Sequence, residues 1–320
     1  MEHFSNFATH VRQQLSNVII GQRDVVDHLL LVLVCGGHAV IEGVPGLAKT
    51  LAVKALARAC GLKFQRIQCT PDLMPADITG TSVFNLADNS FHFHPGPVFA
   101  DILLVDEINR MPPRTQAALL EAMEERQVTI DGVRHPLPEH FTVLATQNPI
   151  EFEGTYPLPE AQLDRFLLKI RMGYPAEDEE IAIISRYDQG FDPRKLDEIE
   201  IAACDGSLLD AARREIGGVK AEASLFSYLV ALIRRTRDWP SLSLGASPRA
   251  AVGLFFVARA LAAMDGRDYL LPDDIKAAAP PVLRHRVLLK PEADLEGLTP
   301  DLIVQQVLAS VEVPRVVTPQ

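Results

Sequence analysis

The feature that most constrains this chain is a glycine-rich turn at residues 43–50, which reads GVPGLAKT. It stands between an apolar strand pattern and a helical pattern. Backbone N–H groups in such a turn, with the positive end of the following helix, stabilise a triphosphate. We expect Lys49 to reach the outer phosphates and the Thr50 hydroxyl to ligate Mg²⁺. The alternative is a strand-to-helix turn that binds no ligand.

The turn departs from the usual phosphate-loop pattern at one position. The pattern G-x-x-x-x-G-K-[ST] has glycine before the lysine, and Ala48 stands there instead. Because alanine adds a methyl group, we expect Ala48 to keep a negative φ at the start of the helix. The predicted nucleotide-binding residues of this segment are Gly43, Val44, Pro45, Gly46, Leu47, Ala48, Lys49, Thr50 and Leu51.

Short apolar runs alternate with helical patterns in the first half of the chain, which predicts an α/β fold with helices on both faces of a sheet. The strands are expected at Ala39–Ile41, Phe64–Ile67, Ile102–Val105, Phe141–Ala145 and Phe166–Ile170. The helices between them are expected at Thr50–Ala59, Arg114–Arg126 and Pro159–Asp164. Near residue 173 this alternation stops, so we expect an α/β domain at 1–173 and a smaller helical domain at 174–320.

The second part of the chain shows helical patterns and little else. They are expected at Glu177–Tyr187, Ser207–Glu215, Ala223–Arg237, Pro248–Met264 and Pro272–Leu289. Two β-hairpins interrupt the first part, at Thr79–His94 and at Gln127–Pro136. In the second hairpin Asp131-Gly132 predicts a two-residue type I′ turn.

Acidic residues end one of the predicted strands. Asp106 is expected to complete the Mg²⁺ shell, and Glu107 to polarise the water that attacks the γ-phosphate. Taken alone, a strand that ends in two acids is often only a solvated turn. Asn148 follows another strand and could hold the same water, although an Asn-Pro pair also fits an ordinary turn.

Arginines stand at two informative places. Arg165 follows a short helix, and Arg249 lies in the first turn of the helix that begins at Pro248. Because the helix dipole disfavours a cation there, we expect Arg249 to have an anionic partner, for which a phosphate is one candidate. The alternative for both arginines is a surface salt bridge.

Five segments together resemble the MoxR family of AAA+ ATPases, in the helix-2-insert clade. They read GVPGLAKT (43–50), TPDLMPADITG (70–80), VDEINRMPPRTQAALLEAMEERQVTIDG (105–132), LATQNPIEFEGTYPLPEAQLDRFLLKI (144–170) and GASPRA (245–250). The resemblance implies a P-loop NTPase core with a five-stranded parallel sheet and a C-terminal helical lid. It implies ATP and Mg²⁺ as ligands and ATP hydrolysis as the reaction.

The resemblance also assigns roles and partners. It makes Asn148 sensor 1, Arg165 an arginine finger that reaches a neighbouring subunit's nucleotide, and Arg249 sensor 2. The segment that contains Ile20 and Gly21 would lie beside the adenine. Members of the family are thought to form hexameric rings and to act as chaperone-like factors on proteins with a von Willebrand factor A domain.

Composition bears on the competing functions. The net charge of −11 argues against a DNA-dependent ring ATPase, because nucleic-acid binding needs a basic surface. No apolar run reaches the roughly 20 residues that a membrane span needs, and four cysteines without a CxxC pair favour a reduced, cytoplasmic protein. A nucleotide-switched scaffold with negligible hydrolysis stays an alternative. His92 and His94 could supply half of a metal site, but solvent-facing histidines explain them as well.

Overall fold

A five-stranded parallel sheet forms the centre of the first part of the chain. The computed structural model describes residues 2–149 and 155–314, with the side chain of Asp197 left out, so part of the segment at 144–170 lies outside the described residues. The strands of the sheet are β1 (Ala39–Glu42), β2 (Phe64–Gln68), β5 (Ile102–Asp106), β8 (Thr142–Gln147) and β9 (Leu168–Arg171). Their order is β2-β5-β8-β1-β9, which confirms the predicted fold class.

Helices cover both faces of this sheet. They are α1 (Glu2–Ser16), α2 (Arg23–Val34), α3 (Lys49–Ala59), α4 (Pro75–Thr79), α5 (Pro113–Glu125) and α6 (Glu160–Leu163). The side-chain alternation of β5 shows how the two faces are used. Ile102 and Leu104 belong to one core cluster, with α1 to α3, whereas Leu103 and Val105 belong to the other, with α5. Alternate residues of a strand point to opposite faces, so a strand buried on both sides is apolar throughout.

Two hairpins project from the first part. In one, β3 (Gly80–Asn85) pairs with β4 (Ser90–Pro95), and in the other, β6 (Gln127–Ile130) pairs with β7 (Val133–Pro136). Asp131 and Gly132 both have positive φ, at 50° and 78°, as the predicted type I′ turn requires. The ring of Phe93 stacks on that of His135 with centroids 4.2 Å apart, so the two hairpins contact each other.

The second part of the chain is mainly helical. Its helices are α7 (Glu177–Asp188), α8 (Gly206–Gly217), α9 (Ala223–Arg237), α10 (Pro248–Met264), α11 (Pro272–Leu283), α12 (Pro291–Leu295) and α13 (Pro300–Ser310). Ser247 accepts a hydrogen bond from the Ala250 N–H and so caps α10. No helix among the described residues is long and apolar enough to cross a membrane.

The expected helix at 272–289 is too long. Helix α11 ends at Leu283, and β11 (Leu288–Leu289) then pairs antiparallel with β10 (Leu242–Leu244), a small sheet that the sequence pattern did not indicate. Pro280 and Pro281 remove two N–H donors from the end of the helix. The chain turns directly after it, and Arg286 there donates to the Asp164 carboxylate.

Candidate nucleotide-binding site

Two adjoining cavities lie where β1, β5 and β8 end. The first has a volume of about 410 Å³ and is mainly apolar, with Ile19, Ile20, Leu51 and Ile184 in its lining. The second has a volume of about 400 Å³, and its polar lining residues are Lys49, Thr50, Asp106, Glu107, Thr146 and Asn148. Residues 45–48 line both cavities. This arrangement offers an apolar space for a base beside a polar space for phosphates.

The expectation for Ala48 is wrong. Ala48 has a φ of 61°, in the left-handed region, and directly precedes helix α3. Gly46 has a φ of 89°, so the loop reverses direction through two left-handed residues. A non-glycine residue in this region carries a cost of roughly 1–2 kcal/mol. The loop geometry therefore outweighs the preference of the alanine backbone.

Lys49 is folded back over its own loop. Its Nζ donates to the carbonyl oxygens of Gly43 and Val44. Neither Gly43 nor Val44 lines either of these two cavities; of the segment predicted to bind nucleotide, residues 45–51 do. A Cβ at Gly43 would lie 2.8 Å from the Met172 carbonyl oxygen, so a larger residue would not fit there. Gly43 and Val44 therefore determine the shape of the loop and do not contact these two cavities.

Asp106 and Thr50 lie together in the polar cavity. The Thr50 hydroxyl donates to Asp106 Oδ2 over 3.2 Å, and the Thr146 hydroxyl donates to Asp106 Oδ1 over 2.6 Å. Carboxylate and hydroxyl oxygens are hard ligands of the kind that Mg²⁺ takes, so these residues fit the ion. Arg66 also donates to Asp106 Oδ2, over 2.7 Å from Nη2. A cation at Asp106 therefore shares that oxygen with Arg66 or displaces its guanidinium.

Glu107 is held at the edge of the same cavity. Its N–H donates to the Thr146 hydroxyl over 2.9 Å, and its φ of 58° lies in the left-handed region. Gln68 Nε2 and Arg110 Nε both lie 3.1 Å from Glu107 Oε2. Asn148 is buried in the lining of this cavity. The carboxylate and the amide that the sequence pattern singled out thus face one polar space.

Sequence reasoning missed Arg66, Gln68 and Thr146. Arg66 and Gln68 lie on β2, which pairs with β5 so that Gln68 is level with Asp106. Polar residues near the end of a strand beside an acidic strand end were a signal that could have found them. Thr146 offered a weaker signal, because a threonine near a strand end is common.

The segment predicted to lie beside the adenine is only partly in the cavity lining. Ile20 lines the apolar cavity together with its neighbours Val18, Ile19 and Gln22, but Gly21 does not. Gly21 has a φ of 67°, and a Cβ there would overlap the carboxylate of Glu179. The glycine thus permits a close approach of α7 instead of contacting the cavity.

Arg165 and Arg249 come together on another face. The Glu124 carboxylate on α5 lies 2.8 Å from Arg249 Nη2 and 3.7 Å from Arg165 Nε. Arg165 Nη1 also donates to the Leu120 carbonyl oxygen. Neither arginine lines either of the two cavities at the phosphate loop. The anionic partner expected for Arg249 is therefore a carboxylate of the same chain.

His92 and His94 do not form part of a metal site within the described residues. His92 is on the exposed hairpin, where its Nε2 contacts the Asp88 carboxylate and lies 3.0 Å from the Ser90 hydroxyl. Among residues 2–149 and 155–314 no group of three or more histidine, cysteine or acidic side chains could hold a metal. The solvent-facing interpretation of these histidines agrees with this geometry.

Comparison with known proteins places this geometry in a family. Residues 38–168 match the model of the ATPase family associated with various cellular activities, and residues 234–307 match the AAA lid domain. The chain is 46% identical over 302 residues to the uncharacterised protein YeaC of Bacillus subtilis, which covers 94% of this chain and 93% of that protein. It is 44% identical to Chaperone MoxR1 of Mycobacterium tuberculosis, which covers 95% of this chain and 81% of the relative.

A solved structure agrees with both the fold and the sequence relatives. The crystal structure of a protein from Cytophaga hutchinsonii, named as an ATPase, superposes with a TM-score of 0.89 at 40% identity. The superposition covers 98% of this chain and 96% of that one. With the loop, the acidic strand end and the lid all present, the chain belongs to the MoxR family of AAA+ ATPases.

Proposed function

We propose that this protein binds Mg-ATP at the two adjoining cavities and hydrolyses it to remodel protein partners. The observation that carries the proposal is the convergence of Lys49, Thr50, Asp106, Glu107 and Asn148 on one polar space of about 400 Å³. These residues come from α3 and from the ends of β5 and β8. The apolar cavity beside them has the chemistry that an adenine ring requires.

Each residue of the polar cavity has a distinct task in this proposal. Thr50 and Asp106 would hold Mg²⁺, which would supply positive charge to the phosphate oxygens. Lys49 leaves the loop carbonyls and binds the outer phosphates. Glu107 accepts a proton from the attacking water, and Asn148 holds that water in line. The phosphoryl group then passes to water, and ADP and phosphate leave.

Arg165 and Arg249 act on a nucleotide held by a neighbouring subunit. The support is their position: both reach Glu124, and neither lines the nucleotide cavities of its own chain. An arginine supplied across a subunit contact raises the rate of phosphoryl transfer by about 10³–10⁵ in comparable enzymes. This arrangement needs a head-to-tail contact between subunits, which can close into a ring, and we propose a hexamer. Glu124 must release both side chains before they reach phosphate.

The decisive test separates nucleotide binding from turnover. Glu107→Gln keeps the size of the side chain but removes the base, so we expect unchanged Mg-ATP affinity by calorimetry and a loss of ATPase activity of at least about 100-fold. Lys49→Ala is the matched variant that should lose affinity instead. If wild-type turnover stayed at the buffer blank at every protein concentration, the nucleotide-switched scaffold would be the better account.

The partner class is proposed at two levels. A relative named Chaperone MoxR1 supports protein clients, and within them we propose a protein with a von Willebrand factor A domain. The test is the ATPase rate with and without such a protein encoded beside this one; an unchanged rate and no complex on gel filtration would contradict it. The domain boundary near residue 173 and the cytoplasmic location stay predictions.

Salt-dependent stimulation of the ATPase rate by single-stranded DNA would favour a DNA-dependent ring ATPase instead.

A further inference from the structure

A third cavity contains an unusual concentration of positive charge. It has a volume of about 390 Å³, and three arginines line it: Arg126, Arg213 and Arg259. Among the described residues that line this cavity, one is acidic, Glu139. Arg126 follows α5, whereas Arg213 and Arg259 lie on the helices α8 and α10. Gly36, which precedes β1, also lines the cavity. The cavity therefore lies near the N-terminal end of β1, whereas the nucleotide cavities lie near the C-terminal ends of the strands.

Two of these guanidinium groups are only partly satisfied. The Nε atoms of Arg213 and Arg259 are buried and have no hydrogen-bond partner among the described residues. Their hydrogen bonds use the other nitrogens: Arg213 Nη2 donates to the Leu33 carbonyl oxygen, and Arg259 Nη2 donates to that of Gly217. Arg259 also lies over the Phe255 ring, 5.1 Å from its centroid. Arg126 donates from Nη1 and Nη2 to the carbonyl oxygens of Glu139 and Gly36. A buried donor without an acceptor is costly, and for a charged group the cost is larger.

The charges around the three arginines also favour an anionic ligand. Burial lowers the pKa of the Arg213 guanidinium, and nearby Arg126 lowers it further, while Asp210 and Glu139 raise it. Burial also lowers the pKa of Arg259. Asp210 lies 3.6 Å from His140 Nε2, so its carboxylate is shared with a second group. Three guanidinium groups around one cavity in a chain with a net charge of −11 leave a local excess of positive charge.

We propose that this cavity binds a small oxyanion, the phosphate or carboxylate group of a free metabolite, at Arg126, Arg213 and Arg259. Planar guanidinium groups match the geometry of both oxyanions, and charge-assisted hydrogen bonds to them are the strong ones. A volume of about 390 Å³ admits such a ligand. Because the arginines come from the α/β part and from the helical part, the bound anion ties the lid to the core. This inference does not depend on the proposed ATPase activity.

The probe is inorganic phosphate, with succinate as the carboxylate arm. Saturating Mg-ADP is present throughout and occupies the nucleotide cavities up to the β-phosphate. Phosphate bound at the remaining γ-phosphate position does not depend on Arg213 or Arg259, so the variants below separate it from phosphate in the third cavity. Sodium chloride at equal ionic strength is the reference, because screening alone changes stability. We expect phosphate, succinate or both to raise the melting temperature of the wild-type protein above this reference. Whichever anion does so identifies the group that binds.

Variants assign the effect to the cavity. Arg213→Met and Arg259→Met each remove one guanidinium, and we expect the anion affinity by calorimetry to fall at least about tenfold. Arg214→Met is the matched control, since Arg214 is exposed on the same helix and does not line the cavity. The comparison uses anion affinity rather than stability in chloride, because Arg213→Met also loses the hydrogen bond to the Leu33 carbonyl oxygen.

Two results would overturn the proposal. One is a wild-type melting temperature that responds to neither anion beyond the chloride reference. The other is an anion response that stays undiminished in both Arg213→Met and Arg259→Met. Two separate variants keep the test informative if either of them fails to fold.

Discussion

Ala48 holds a backbone conformation that glycine adopts at lower cost. Its φ of 61° follows from the reversal of the loop before α3, and its side chain makes no capping hydrogen bond. Replacing it by glycine removes the strain but also gives the unfolded chain more freedom, which offsets part of the gain. We expect Ala48→Gly to raise the free energy of unfolding by about 0.5–1 kcal/mol. Urea denaturation measures the change.

The same substitution four residues on should have the opposite sign. Ala52 is buried within α3, where glycine costs about 1 kcal/mol in helix propensity alone. Ala52→Gly should therefore destabilise the protein while Ala48→Gly stabilises it. A loss of stability in both variants would mean that the loop alanine does not hold a left-handed conformation in solution.

His38 makes stability depend on pH at a buried site. Burial lowers the pKa of His38 to about 3, and its Nδ1 accepts a hydrogen bond from the Val143 N–H over 2.9 Å. In the unfolded chain the imidazole has a pKa of about 6.5, so it binds a proton there first as the pH falls. The stability that the neutral His38 contributes is fully present above pH 6.5 and is lost progressively as the pH falls toward 3. At pH 5 the loss from this residue is about 2 kcal/mol.

This pH dependence is measurable against a matched histidine. We expect the unfolding free energy of His38→Gln to fall less between pH 7 and pH 5 than that of the wild type. His94→Gln, at an exposed hairpin position, should keep the wild-type slope. The comparison uses slopes, because loss of the buried ring lowers the stability of His38→Gln at every pH. Equal slopes in all three proteins would contradict the assignment.

At the scale of elements, a partly buried ion pair joins Asp164, the residue that follows the short helix α6, to the lid. Arg286 uses all five of its N–H donors: Nε donates to Asp164 Oδ1, and the others donate to the carbonyl oxygens of Asp164, Phe166, Leu167 and Val282. The Ser247 hydroxyl donates to Asp164 Oδ2 over 2.9 Å. Asp164, which directly precedes Arg165, thus contacts Ser247, the N-cap of the helix that carries Arg249.

Loss of the charge on Asp164 should destabilise the folded protein. The Arg286 side chain is 3% exposed, so it cannot recover the lost partner from water. We expect Asp164→Asn to lower the free energy of unfolding by about 3 kcal/mol. Asp273→Asn breaks an exposed pair with Lys276 in the first turn of α11, and it should lower the free energy of unfolding by no more than about 1 kcal/mol. If Asp164→Asn unfolded at the wild-type urea concentration, this pair would not hold the elements together.

Elements with local signals could be predicted from the sequence, and contacts across the fold could not. The strand that begins at Ile102 is a continuous apolar run, and the strand at Thr142 is mainly apolar. Asp131-Gly132 defines its own turn, so each of these elements could be predicted from its local sequence. The contact of Glu124 with two arginines joins positions that are 41 and 125 residues away from it. No local pattern encodes such a contact. The same holds for Arg66 at Asp106, which depends on which strands are neighbours in the sheet.

At the scale of the whole molecule, our proposal for Arg165 and Arg249 requires an active site that is shared between two copies of the chain. In this proposal Lys49 belongs to one half of that site, and Arg165 to the other half. A ring built from Lys49→Ala subunits or from Arg165→Ala subunits alone should therefore be inactive. A mixed ring contains some contacts at which an intact loop meets an intact arginine.

We expect equal amounts of the Lys49→Ala and Arg165→Ala proteins, allowed to exchange subunits, to recover about a quarter of the wild-type ATPase rate, because one contact in four is then complete. Lys49→Ala mixed with Glu107→Gln is the matched control: both changes lie on the same half of the site, so no contact is complete and the mixture stays inactive. Lys49→Ala with Arg249→Ala tests the second arginine in the same way. If the Arg165→Ala mixture stayed as inactive as the control although subunits exchange, Arg165 would act on the nucleotide of its own chain.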